Sequence, residues 1–185
     1  MLRNRKIVSR KAPGSDSNGQ ILNEETVEVK IPAGVEDGMQ LRVSGKGNEA
    51  LSDGIPGDFL VLINELPDEN LKREGNNLHY DLYISISEAV LGISKEINTV
   101  SGKVRIKLDA GIQSGKILRL RGKGLKSING YGNGDLLVHV NVWTPKTLNK
   151  EQREFFQQMK NNEHFTPNPD KNDKSFFEKV KDMFS

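Results

Sequence analysis

Hydrophobic residues alternate with polar ones along most of this chain, which is the spacing of half-buried strands. Val27, Val29 and Ile31 alternate with Glu28 and Lys30, and Leu41 and Val43 continue on a second strand after turn signals at Ala33-Gly34 and Asp37-Gly38. Phe59-Leu60-Val61-Leu62-Ile63 is an unbroken apolar run, the pattern of a strand covered on both faces. The clearest alternation is Leu78, Tyr80, Leu82, Ile84 and Ile86 against His79, Asp81, Tyr83 and Ser85. A helical turn over Ser87 to Leu91 stops at Gly92, and strands resume at Val104–Leu108, Leu118–Leu120 and Leu136–Val142. Residues 1–23 are polar and read as an irregular lead-in.

The period changes near the end. Leu148, Phe155, Phe156 and Met159 sit at helical spacing, with Asn149 and Gln152 as a capping pair. Residues 161–173 read as a flexible linker. Phe176, Phe177, Val180, Met183 and Phe184 then share one face of a last helix, capped by Ser175 with Glu178. Such a helix is too short to stand alone, so its stripe needs a partner.

Residues 27–63 align with residues 104–140 without a gap at an offset of 77, and fourteen of the 37 pairs are identical. The identities include Gly34/Gly111, Gly38/Gly115, Arg42/Arg119 and Asp58/Asp135, and Gly45-Lys46-Gly47 returns as Gly122-Lys123-Gly124. Self-similarity of this kind means one supersecondary unit used twice. What recurs is turn chemistry and core, with glycines where the chain reverses at positive φ. The fold expected is all-β: two tandem small β-sandwich subdomains, residues 24–77 and 78–147, followed by short helices and a dimerisation helix in 148–185.

Composition narrows the function. The 185 residues carry 27 Lys+Arg against 25 Asp+Glu, a near balance that argues against a nucleic-acid binder. The one basic cluster, Arg3, Arg5, Lys6, Arg10 and Lys11, reads as a solvated tail. There is no cysteine, so neither a disulfide nor a thiolate metal site can form. No apolar run approaches the ~20 residues of a membrane helix. The expected setting is the cytoplasm.

The search for catalytic chemistry returns little. His79, His139 and His164 are not at metal-ligand spacing. Gly111-Ile-Gln-Ser-Gly115-Lys116 is one residue short of a phosphate loop and leads into a strand. Asp58 and Asp135 follow glycines just before strands, where a carboxylate accepts hydrogen bonds from a turn backbone. No cofactor and no metal are expected, and the chain is not expected to be an enzyme. The positive signal is apolar: a sheet edge near Val27, Val29 and Val61 suits an added peptide strand.

The stretch from Val29 to Gly47, with Val29-Lys30-Ile31-Pro32-Ala33-Gly34 and Ser44-Gly45-Lys46-Gly47, closely resembles DnaJ-type proteins just after their zinc-binding region. Pro56-Gly57-Asp58-Phe59-Leu60-Val61, Glu88-Ala89-Val90-Leu91-Gly92, Leu118 to Leu125 and Gly130 to Val138 resemble them too. The resemblance runs over about residues 24–160. It implies a co-chaperone that holds unfolded polypeptide clients for a DnaK-type chaperone as a homodimer. Carried over by motif, Val27, Val29 and Val61 would contact the client, and Phe176, Phe177, Val180, Met183 and Phe184 would dimerise.

Departures from the family pattern shape the expectation. The only His-x-Asp tripeptide, His79-Tyr80-Asp81, lies in a strand and is not the family's His-Pro-Asp. The Gly/Phe-rich linker and the stretch that completes the first subdomain have no counterpart here. Lys11 to Gly19 resembles the last zinc repeat with its cysteines replaced, Ala12 and Ser15 standing at the ligand positions. Three functions follow for testing: a client-holding module, a dimerisation segment without client binding, and, with least support, an enzyme on a β scaffold.

Overall fold

The structure is a computed structural model and describes residues 2–9, 20–50, 54–130 and 132–169. Ten strands run through it in order: β1 Leu2–Ser9, β2 Gln20–Val27, β3 Gln40–Val43, β4 Phe59–Leu62, β5 Leu71–Glu74, β6 Asn77–Ser85, β7 Ile93–Thr99, β8 Gly102–Leu108, β9 Ile117–Leu120 and β10 Leu136–Trp143. Helix α1 (Ile86–Leu91) follows β6, and helix α2 (Lys150–Met159) follows β10. The sheets are β1-β2, β3-β4, β7-β8 and the four-stranded β5-β6-β10-β9. This is the all-β fold expected. The last-helix residues Phe176, Phe177, Val180, Met183 and Phe184, and Ala12 and Ser15 of the zinc-like segment, lie outside the described residues.

Three local expectations are corrected. Residues 1–23 are not wholly irregular: β1 and β2 pair antiparallel from Leu2↔Val27 to Ser9↔Gln20. The run Phe59–Leu62 is not covered on both faces, because Leu60 and Leu62 are 58% and 66% exposed while Phe59 and Val61 are half-buried. The stretch after α2 is not simply linker, since Glu163–Phe165 forms a 3-10 turn capped by Asn162.

The cap of α2 follows the chemistry read from sequence. Asn149 accepts from Gln152 N–H and Gln152 answers at Asn149 N–H, starting α2. Ser85 and Glu88 form the same box at α1. The Ser85 N–H, and then Lys95, hold the Glu88 carboxyl below its ordinary carboxylate value.

The chain divides into two compact units: residues 1–80 with 120–137, and residues 81–119 with 138–185. In the first, the buried apolar residues among those described are Val27, Leu78 and Leu136. In the second they are Leu82, Ile84, Ala89, Ile97, Ile106, Leu108, Val138 and Val140. Among the described residues the second unit thus encloses the larger core, because alternating apolar residues of β6, β7, β8 and β10 face inward there.

The sequence repeat is a repeat of hydrogen bonds. The Gly38 N–H donates to Ile63 O at 2.9 Å and Gly115 N–H to Val140 O at 2.8 Å. Gly47 N–H donates to Gly57 O, and Gly124 N–H to Gly134 O, both at 2.8 Å. Asp58 Oδ1 accepts from Gly45 N–H at 3.0 Å, and Asp135 Oδ1 from Gly122 N–H at 2.7 Å. Gly45 and Gly122 both have φ +68°, the left-handed conformation this turn requires. The two aspartates are therefore turn anchors, as their position after glycine suggested.

Candidate functional site

In the first unit the strand β4 pairs with β3 from Gln40↔Leu62 to Val43↔Phe59. Ile63 N–H continues this ladder to Met39 O at 2.8 Å. Because backbone groups alternate sides along an antiparallel strand, Phe59, Val61 and Ile63 turn their N–H and C=O toward β3. Leu60 and Leu62 turn theirs the other way. Among the described residues no strand pairs with that second side of β4. It is an edge with ready donors and acceptors.

Its surroundings are fixed. The Asp58 carboxylate, at the start of β4, pairs with Arg42 on β3 as well as with Gly45. Arg73 on β5 holds the turn before β3, donating to Val35 O at 2.7 Å and Gly34 O at 3.2 Å and pairing with Glu65 at 2.7 Å. Of the residues nominated from sequence, Val61 is half-buried on β4, Val29 is half-buried just after β2, and Val27 is 3% exposed and belongs to the core. Sequence reasoning missed Leu60 and Leu62, whose backbone forms the edge. The one signal was Leu62 standing where the second repeat has His139.

The second unit carries a different feature. An apolar hollow of about 800 Å³ lies between α1 and α2, lined by Val90, Leu91, Trp143, Leu148, Phe155 and Phe165. Trp143 packs edge-on to Tyr83 with ring centroids 6.3 Å apart, and Lys146 Nζ stands 5.5 Å from the Trp143 ring centre. No group of three metal-ligating side chains occurs among the described residues, and no described helix is long and apolar enough to cross a membrane.

Comparison with known proteins adds the decisive observation: the family profile described as DnaJ C terminal domain matches residues 4–145. The chain belongs to the DnaJ C-terminal domain family. A protein named Chaperone protein DnaJ from Bacteroides thetaiotaomicron is 47% identical over 167 residues, 90% of this chain and 42% of that protein. Proteins of the same name from Porphyromonas gingivalis and Salinibacter ruber are 45% identical over 161 residues and 37% over 182 residues. The chain spans less than half the length of these curated relatives. The DnaJ family is one of co-chaperones rather than of enzymes. The matched residues begin within β1, so the family relation includes the β1-β2 hairpin.

Proposed function

We propose that this DnaJ-type chain binds unfolded polypeptide by strand addition and, as a homodimer, holds it for a DnaK-type chaperone. The observation that carries the reading is the open side of β4, where Leu60 and Leu62 offer backbone hydrogen bonds beside the half-buried Val61. Main-chain pairing tolerates any sequence, as a client holder needs, and shallow apolar contacts select hydrophobic segments. Val61 and Val29 would touch the client, with the buried Val27 supporting them from within the core. A labelled, extended apolar peptide titrated with the protein should show saturable fluorescence anisotropy. A flat titration at high protein concentration would leave the chain without client binding of its own.

Dimerisation is assigned to Phe176, Phe177, Val180, Met183 and Phe184, whose apolar stripe matches the chemistry of the hollow between α1 and α2. Exposed rings at Trp143 and Phe155 favour this reading, since scattered single residues rather than a lined hollow are the norm on a monomer. Sedimentation velocity should show a dimer that Val180→Asp converts to monomer. An unchanged sedimentation coefficient in a folded variant would place the contact elsewhere. If dimers form and client does not bind, the chain is a dimerisation segment.

A further inference from the structure

Three Asn-Gly pairs occur in the chain: Asn18-Gly19, which lies outside the described residues, Asn129-Gly130 and Asn133-Gly134. Such a pair carries a reaction of its own. The amide nitrogen of the glycine attacks the asparagine Cγ, because no Cβ shields that nitrogen and glycine reaches the backbone angles the ring needs. The reaction requires a side-chain amide free to turn onto the following nitrogen, and a peptide free to turn with it. The structure separates the two described pairs on both counts.

Asn133 is locked. Its Nδ2 donates to Gly122 O at 3.3 Å, which ties the amide across the loop between β9 and β10. The nitrogen that would attack it is engaged as well: Gly134 N–H donates to Leu125 O at 2.8 Å, and Gly134 O accepts from Gly124 N–H at 2.8 Å. Asn133 itself forms an antiparallel bridge with Lys126. The peptide has no room to rotate, since a Cβ on Gly134 would lie 1.9 Å from Asn76 O.

Asn129 is open. It stands exposed in the turn Ser127–Gly130 of the same loop, between the exposed Ile128 and Gly130. Among the described residues its side-chain amide makes no hydrogen bond. Gly130 has φ +81°, and a Cβ built on it would meet nothing within 4 Å. Its nitrogen is held by the turn bond from Gly130 N–H to Ser127 O, at 3.1 Å, on a surface where water can replace it. The foot of this turn is fixed by contrast. Lys126 O and Ile128 N stand where a Cβ on Gly34 would have to go, so the loop packs directly on the turn before β3.

We infer that Asn129 is a site of spontaneous deamidation in the folded protein, and that its isoaspartyl product loosens the loop from the turn at Gly34. The Gly130 nitrogen loses its proton and bonds to Asn129 Cγ, the Cγ–Nδ2 bond breaks, and the nitrogen of the side chain leaves as ammonia. Water then opens the resulting succinimide at either carbonyl, giving aspartate or isoaspartate. Nothing is oxidised or reduced, and water is the one co-reactant. Both products place a carboxylate in the turn. The isoaspartyl form also routes the main chain through Cβ, one atom longer, next to the Ile128 N that packs against Gly34.

The test incubates the whole chain in mildly alkaline buffer, with and without guanidinium chloride, and follows both asparagines by peptide mapping with mass spectrometry. In the folded protein Asn129 should convert at least about tenfold faster than Asn133, whose reaction waits for the loop to open. Unfolded, the two should convert within about threefold of each other, because each then reacts as an Asn-Gly pair in a mobile chain. Asn129→Gln should stop conversion at that position, since the longer side chain closes the ring poorly. Trypsin should cut after Lys126 several-fold faster in the aged protein than in the fresh one. Asn129→Asp, which carries the charge without the longer main chain, should be cut like the fresh protein. Asn133 converting as fast as Asn129 in the folded state, or a preference for Asn129 that persists unchanged in guanidinium, would overturn the assignment of the site. Cleavage of the aged protein at the rate of the fresh protein, or at the rate of Asn129→Asp, would overturn the loosening by isoaspartate.

Discussion

Gly134→Ala lowers the urea midpoint of the protein by an amount corresponding to about 3 kcal/mol, the upper range for overpacking a filled site. The alanine methyl would have to occupy space 1.9 Å from Asn76 O and 2.3 Å from Asn76 C, both backbone atoms that no rotamer change can move. Asn76 O also accepts from Leu125 N–H at 2.8 Å, and Asp135 N–H reaches Asn77 Oδ1 at 2.9 Å. Relief of the clash therefore breaks hydrogen bonds at the entry to β6. Gly57→Ala is the internal control. It has the same repeat position, ordinary contact distances and no positive φ, so its cost should stay within about 1 kcal/mol of the parent in either direction. Denaturation followed by far-ultraviolet circular dichroism measures both. Equal losses in the two variants would mean that the turn before β6 does not press on Gly134 as described.

Val61→Asp should weaken binding of an extended apolar peptide by at least tenfold, about 1.4 kcal/mol. Val61 is half-buried on β4 between the outward-facing backbone groups of Leu60 and Leu62. A carboxylate there would have to be desolvated when an apolar segment covers it, without a partner supplied by the client. Half-burial is what makes the variant informative. In the free protein the charge still reaches water, so the fold should survive, as circular dichroism would verify. The equivalent change at Val138, which is fully enclosed, would test stability instead. Full peptide affinity in a folded Val61→Asp protein would remove β4 from the client site.

The sequence disclosed the strands wherever one face is buried and the other is not. Leu78 to Ser85 alternates because one side of β6 meets the core, and β6 is where it was expected. The cap at Asn149 was equally legible, since a side-chain acceptor three residues before a glutamine has one common use, whereas Ser85 was read as part of the strand and its pairing with Glu88 was missed. Strand β1 was not legible. Leu2-Arg3-Asn4-Arg5-Lys6-Ile7 has no period of two, and its strand character depends on pairing with β2. Strand β5, Leu-Lys-Arg-Glu, is too short and too charged to announce itself. The run Phe59–Ile63 misled for a physical reason: five consecutive apolar residues normally mean two covered faces, and here one face is exposed. The exposed residues, Leu60 and Leu62, are the ones whose backbone forms the edge of the candidate site, so the pattern failed where binding is proposed. Val27, nominated for contact, obeyed its alternation and went into the core.

Trp143 has a practical consequence. It is the only tryptophan in the chain, and it stands half-exposed at the rim of the hollow, against Tyr83 and beneath Lys146. Its emission is therefore a native optical signal from the second unit. Whatever covers the rim moves the indole out of water and shifts its spectrum to the blue. One unlabelled sample thus reports occupancy of the hollow by colour.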